Sequence, residues 1–288
     1  MKKMVNFLLF SVLIMGCTGN QRNKALHDEI IAEPRDREII DELVRQFPKE
    51  RKTRTGELVL KVGLAFLDTP YVSHTLETED SENLIVNLRG LDCTTFAENC
   101  LAIARMLKSG NHEFDQFTKE LGFIRYRDGI RHGYPSRLHY FSDWIFNNSQ
   151  KKLVKDVSKE IAHTIVPNRV SYMSSHPGNY IRLKNDSTLI PEIIRHENAI
   201  TGRIAHYIPE TKLKEFENKL KDGDIVGLTT NIKGMDISHV GILLWKNGHI
   251  HLLHASSVLR KVVVSEETLE EYLLKSKSAT GIMVARPL

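Results

Sequence analysis

The apolar residues of this chain change their spacing once, and that change leaves few folds open. From Cys93 to Leu107 the positions Phe96, Ala97, Cys100, Ile103, Ala104 and Leu107 recur at intervals of three and four, the buried face of an amphipathic helix. From Asp222 onward the pattern is that of strands: Ile225 to Thr229, Ile237 to Trp245, His249 to Ala255, Lys261 to Val264 and Ile282 to Arg286, with turns at Asp222-Gly-Asp and Lys246-Asn-Gly. A helical block followed by a meander predicts an α+β fold, an antiparallel sheet with the Cys93 helix packed on one face. No internal repeat is present and no linker divides the chain, so one domain is expected from residue 25 to residue 288.

The Cys93 helix has a defined start. A short strand at residues 83 to 88 leads into Arg89-Gly-Leu, and Asp92 is then placed as the N-cap with Cys93 in the first turn. Unpaired N–H groups and the positive end of the helix dipole favour a thiolate there, so the thiol is predicted to fall below the free-cysteine value of about 8.5. Gly110 reads as the stop. Upstream, residues 25 to 50 carry one or two amphipathic helices interrupted at Pro34 and ending before Pro48, and Leu58 to Leu67 has helical spacing. Downstream, an insertion of about residues 110 to 220 holds helical stretches at Phe114 to Leu121 and Phe141 to Ile165. Between them Arg125 to Tyr140 is dense in Arg, His and Tyr, the composition of a surface loop or of a loop lining a polar ligand.

Lys2 and Lys3, the apolar run Phe7 to Met15 and Ile14-Met-Gly-Cys17 make an export signal over residues 1 to 16, too short to span a bilayer as a lone helix. It resembles the bacterial lipoprotein signal, which implies that Cys17 is acylated and that residues 17 to 24 tether the body to a membrane, facing the periplasm or the outer surface. A cleaved signal with an incidental cysteine is the alternative. The net charge of +4 is spread along the chain with no basic run interleaved with aromatics, so no nucleic-acid partner is expected. In an exported setting Cys93 and Cys100 could form disulfides. They cannot pair with each other, because seven residues of helix separate their Cα atoms by roughly 10 Å, beyond the disulfide limit of about 7 Å. Cys100 is read as buried and Cys93 as the reactive thiol.

A cysteine nucleophile needs a base and a group that orients the base. His239, in Ser238-His-Val-Gly-Ile, opens the second strand, and His254, in His251-Leu-Leu-His-Ala, closes the strand hairpinned to it. A turn centred on Lys246-Asn247 places the two histidines opposite each other, within reach as cross-strand neighbours. His249 and His251 also invite a metal reading, but alternation turns them away from His254 and no His-Glu-x-x-His is present, so no metal is expected.

These residues carry a resemblance. Thr69-Pro-Tyr71, Leu91-Asp-Cys-Thr-Thr-Phe96, Ser238-His-Val-Gly-Ile242 and His254-Ala-Ser256, in this order, resemble the NlpC-type superfamily of papain-like cell-wall cysteine hydrolases. Asn87 to Asn99, Ser136-Arg-Leu-His-Tyr-Phe-Ser-Asp-Trp144 and Thr229 to His239 look more narrowly like its N-acetylmuramoyl-L-alanine amidase-like branch, over most of residues 50 to 288. The resemblance implies a papain-like core with Cys93 as nucleophile, His239 as base, His254 as orienting residue and Tyr71 near the oxyanion. It implies peptidoglycan or its muropeptide fragments as substrate and no cofactor; a monomer is expected. It also implies that the insertion shapes substrate choice. Thr94-Thr95 stand where the superfamily commonly has Ser-Ser-Gly after Asp-Cys, so endopeptidase specificity does not carry over. A stem-peptide endopeptidase and a catalytically inactive murein-binding lipoprotein are the rival readings. For the sugar, Tyr134, Tyr140 and Trp144 offer stacking faces and Arg131, Arg137 and His139 offer donors, with Ser136 and Asp143 in the same segment.

Overall fold

The computed structural model describes residues 30–78, 81–167 and 169–288. The export signal, Cys17 and the tether lie outside the described residues. A two-residue strand β1 (Ile30–Ile31) pairs in parallel with β2 (Leu84–Ile85). Between them run α1 (Pro34–Gln46), with Pro34 at its first position, and α2 (Thr55–Ala65). Then come α3 (Cys93–Ser109), α4 (Phe114–Arg125) and α5 (Phe141–Gln150). The insertion continues through β3 (Val154–Asp156), α6 (Ser158–Ile161), β4 (Thr164–Ile165), α7 (Tyr172–Ser175), α8 (Ile181–Asn185), α9 (Ile190–Thr201), β5 (His206–Pro209) and α10 (Leu213–Phe216). The chain closes with β6 (Ile225–Thr230), β7 (Ile237–Lys246), β8 (His249–Ser256), β9 (Lys261–Val264), α11 (Leu269–Lys275) and β10 (Ala279–Pro287).

The architecture is α+β, as the change of period predicts. The sheet runs β4-β5-β10-β6-β7-β8-β9 with β3 also on β10, and every pair is antiparallel. Both faces are covered. On one face Val240, Ile242, Leu253 and Ala255 pack with Phe96, Cys100, Ile103 and Leu107 of α3. On the other, Leu243, Ile250 and Leu252 pack with Leu269 and Leu273 of α11. The helix α3 is buried nearly all round, Thr95, Glu98 and Asn99 included, because α2 and α4 flank it. Its polar residues are satisfied inside: Glu98 takes Arg125 at 2.7 Å, and the Asn99 amide donates to the Thr95 carbonyl at 2.8 Å.

Two expectations change. Phe141 to Ile165 is one helix only as far as Gln150. Lys152 then turns the chain with a positive φ of 58°, and Val154 enters the sheet opposite Pro287. The β7–β8 turn is centred on Asn247-Gly248, where both φ angles are positive as a type I′ turn requires, so Lys246 faces His249 and Ile242 faces Leu253. Continued along the strands, that register puts Ser256 opposite His239 and leaves His254 two residues away, on the diagonal. A shift of two residues keeps each side chain on the same face.

Candidate active site

Asp92 makes the start of α3. Its carboxylate accepts the Thr95 N–H at 2.8 Å while the Thr95 hydroxyl accepts the Asp92 N–H at 2.9 Å, a reciprocal cap that fixes the first turn. Cys93 is the first residue of the helix and is half-buried; Cys100, two turns on, is buried in the core, and both thiols are free. The Val240 N–H and Thr94 lie close enough to the Cys93 sulfur to favour its thiolate. Val240 is the residue after His239, so the start of the helix meets the start of β7.

The local geometry of β7 makes room for that meeting. Leu228 faces His239 and Thr229 faces Ile237, leaving Ser238 as a bulge immediately before the histidine. Bulges bend a strand and re-aim the neighbouring side chain. On the other edge the β7–β8 ladder begins only at Ile242, so the strands are not paired where His239 and His254 stand. The two imidazoles bridge the opening, with His239 Nε2 2.7 Å from His254 Nδ1 and the rings edge to face at 89°. Tyr272 of α11 lies against both rings, at 6.5 Å from His239 and 5.5 Å from His254. Both histidines therefore sit on the α11 side of the sheet, opposite the face that α3 covers. His254 Nδ1 occupies Nε2 of His239 and leaves Nδ1 as the ring nitrogen outside the pair.

The thiol does not behave as the helix dipole alone predicts. Burial pushes Cys93 up to about 12, the Asp92 carboxylate adds to the rise, and the nearby Val240 N–H and Thr94 oppose it. Burial also pushes His239 down to about 4 and His254 down to about 3, the latter helped by its neighbour His239. At rest the thiol and both imidazoles are thus neutral.

Tyr71 completes the cluster. Its N–H donates to the Arg260 carbonyl at 2.9 Å, and the Val72 N–H to the Leu91 carbonyl at 3.1 Å, so the segment is laced between the β8–β9 turn and the approach to Cys93. Burial, then the nearby Cys93 and Asp92, raise its phenol. Tyr71, Ser73, Glu77, Cys93, Arg137 and His139 are among the walls of an open cavity of about 290 Å³. Two larger cavities, of about 370 and 450 Å³, lie elsewhere, around Trp245 and around Phe123.

Of the residues expected to bind sugar, two line the Cys93 cavity. Arg137 is buried and donates to the Leu76 carbonyl at 2.7 Å and to Glu77. His139 donates from Nε2 to the Tyr134 carbonyl at 2.9 Å, and burial together with Arg137 holds it well below the usual histidine range. The others lie outside that cavity, with Tyr140 lining a neighbouring one. Trp144 is fully buried, stacked on Phe141 at 4.8 Å, and has no face to offer a ligand. Asp143 is buried between Arg127 and Arg203. The Ser136 hydroxyl donates to the Gly133 carbonyl at 2.7 Å within its own turn, and Arg131 lines the distant Phe123 cavity. Tyr134 is buried with its hydroxyl toward Glu77 at 3.3 Å. The Tyr140 hydroxyl donates to Glu197 at 2.7 Å and accepts the Met173 N–H at 2.8 Å. Glu77 and Tyr272 went unrecognised in the sequence: Glu77 precedes the motif stretch, and Tyr272 reads as an ordinary position in Leu269-Glu-Glu-Tyr-Leu-Leu. Among the described residues no group of three His, Cys, Asp or Glu side chains is arranged to hold a metal ion. His251 instead donates to the Ser265 carbonyl at 3.0 Å, and His249 faces Glu217.

Comparison with known proteins agrees with this picture at the level of the family. The chain is similar over 81% of its length, at 39% identity and a TM-score of 0.78, to 98% of an N-acetylmuramoyl-L-alanine amidase from Bacteroides uniformis. It is 44% identical to a candidate xylanase from Bacteroides fragilis, over 79% of this chain and 99% of that one, with a TM-score of 0.75. A Legionella pneumophila protein at 21% identity shares the fold, with a TM-score of 0.66 over 88% of this chain and 95% of that one. No curated protein sequence matches significantly. The family model described as AmiA-like, N-acetylmuramoyl-L-alanine amidase-like, matches residues 61–282, and the chain belongs to that family.

Proposed function

We propose that the protein is a cysteine amidase of the papain-like, NlpC-type kind, which hydrolyses the amide between the lactyl carbonyl of N-acetylmuramic acid and L-alanine in peptidoglycan or its fragments. The observation that carries the reading is the meeting of the capped Cys93 with the Val240 N–H, next to a histidine whose far nitrogen is held by a second histidine. His239 carries its proton on Nε2, donates it to His254 Nδ1, and keeps a lone pair on Nδ1 for the thiol proton. Because thiol and imidazole rest neutral, that proton moves as the sulfur attacks. The new S–C bond forms, and the oxyanion is held by the Cys93 N–H, which makes no other hydrogen bond among the described residues, and by the Tyr71 hydroxyl. Collapse breaks the C–N bond, and His239 returns the proton to the leaving L-alanine nitrogen. Water, deprotonated by His239, then cleaves the thioester and restores the thiol.

The carboxylates of the cleft support an amidase over a glycosidase. Glu77 is bonded to Arg137, Glu98 to Arg125 and Asp92 to its own helix, which leaves no pair of free acids to flank a glycosidic bond. The proposal extends to location: a lipid on Cys17 and a body facing the periplasm or outer surface, supported by Ile14-Met-Gly-Cys17. Mass spectrometry of the products from a defined muropeptide tests the activity. Free sugar plus an intact peptide supports the amidase; a cut within the peptide makes it an endopeptidase, and no cut a binding protein. A Cys17→Ser protein that still fractionates with membranes, at unchanged mobility, would overturn the lipid anchor.

A further inference from the structure

We propose that the Cys93 cleft continues past His139 into a second pocket, lined by Tyr172, Tyr180, Met235, Asp236 and Ile237, and that this pocket holds the N-acetylated sugar of the substrate. The proposal rests on the amidase reading above. His139 lines both cavities, so the two spaces adjoin. The second has a volume of about 170 Å³.

The pocket is built into the catalytic strand's approach. The Ser171 and Tyr172 N–H groups both donate to the Gly234 carbonyl at 2.9 Å, which docks the insertion on the β6–β7 loop five residues before His239. Gly234 sits at a φ of 81°, and a Cβ there would lie 2.9 Å from the Ser171 hydroxyl, so the close approach requires glycine. Asp236 is 5% exposed; one of its oxygens accepts the Ser142 N–H at 2.8 Å and the other the Ile237 N–H at 2.7 Å. Each carboxylate oxygen retains a lone pair.

The chemistry of these walls selects a neutral polyol. Two tyrosine faces and a thioether suit the C–H face of a pyranose, and Asp236 accepts from hydroxyl or acetamido N–H groups. Tyr172 and Tyr180 bring phenol rings and hydroxyls to the pocket wall, donors and acceptors suited to sugar hydroxyls. No lysine or arginine lines the pocket, and burial keeps His139 neutral. Inside the second pocket a free carboxylate of a stem peptide would meet the Asp236 carboxyl with no lysine or arginine on the walls to receive it.

The test measures binding to a Cys93→Ser protein, titrated with N-acetylmuramoyl-L-alanyl-D-isoglutamine and with D-lactoyl-L-alanyl-D-isoglutamine, which keeps the same amide and lacks the sugar. The muramoyl compound is expected to bind at least about tenfold more tightly. Tyr172→Ala removes most of that advantage, and Tyr180→Phe, which keeps the ring and cannot disturb packing, reduces it several-fold; neither changes affinity for the lactoyl peptide. Equal affinity for the two compounds, an advantage that survives in both variants, or no measurable binding of the muramoyl compound would overturn the proposal. Because binding needs no turnover, failure of the amidase reading shows separately, as wild-type products in which the lactyl amide is uncut.

Discussion

His239 Nε2 and His254 Nδ1 lie 2.7 Å apart although the two residues are diagonal, not opposite, across an unpaired stretch of β7 and β8. Long side chains reach a diagonal neighbour, and the bulge at Ser238 turns the first ring toward the second. The pair is buried without a carboxylate, which sets its response to pH. His239 stays unprotonated down to about 4. The acid limb of kcat/KM is therefore expected near pH 4 to 5, well below the free-histidine value of about 6.5. A limb at 6.5 in the wild type would contradict the burial argument.

Stability follows the same shifts. Between the ordinary histidine value of about 6.5 and the folded values of about 4 and 3, the unfolded chain binds more protons than the native one, so stability falls as pH is lowered through that window. Thermal melts from pH 7 to pH 4 are expected to show a falling Tm, with a shallower fall in His254→Leu. Parallel curves for the two proteins would remove the histidine pair as the cause.

His254→Asp places a negative charge on the Nε2–H of His239 and favours its protonated form. The acid limb is expected to move upward by a pH unit or more, while His254→Ala, which leaves that N–H without its partner, lowers kcat without such a shift. A profile unchanged in His254→Asp would show that the second histidine does not face the titrating group during turnover.

Cys93→Ala is expected to abolish hydrolysis, and Cys100→Ala to keep most of it, since Cys100 only fills the core. With the thiol pushed up to about 12, iodoacetamide labels Cys93 slowly at pH 7 and faster with each rise in pH, and Cys100 more slowly throughout. Turnover by a folded Cys93→Ala protein would end the cysteine mechanism.

The parts of this molecule that a local pattern encodes were legible in its sequence. Asp92 before an apolar period marked the start of α3, Gly110 its left-handed end, and the alternation after Asp222 marked β6 to β9 and the second half of β10. What depends on distant partners was not. The burial of Glu98 and Asn99 had no local sign, because nothing near them announces Arg125. Trp144 read as a ligand face because composition does not show that Phe141 already stacks on it. The thiol's environment was misjudged for the same reason: the dipole is local, while the burial that outweighs it comes from the assembled sheet and helices. The insertion's own small core, Tyr134, Tyr140, Val170, Met173, Leu183, Ile193 and Ile200, has no period at all.

The Glu98–Arg125 pair offers the sharpest test of that distant packing. Both side chains are 2% exposed, Arg125 Nε lies 2.7 Å from Glu98, and Nη1 donates to the Ile85 carbonyl at 2.6 Å, tying α3 to α4 and to β2. Removing one partner strands a charge inside the protein, at a cost of about 3–5 kcal/mol, and the Tm of Glu98→Leu or Arg125→Met is expected to fall by roughly 6–20 °C. The double variant replaces both charges with apolar groups and is expected to recover much of the loss, because a buried ion pair gains little over hydrophobic packing of similar volume. Single variants that melt within 2 or 3 °C of the wild type would show that water reaches the pair, and that α3 is less enclosed than the structure has it.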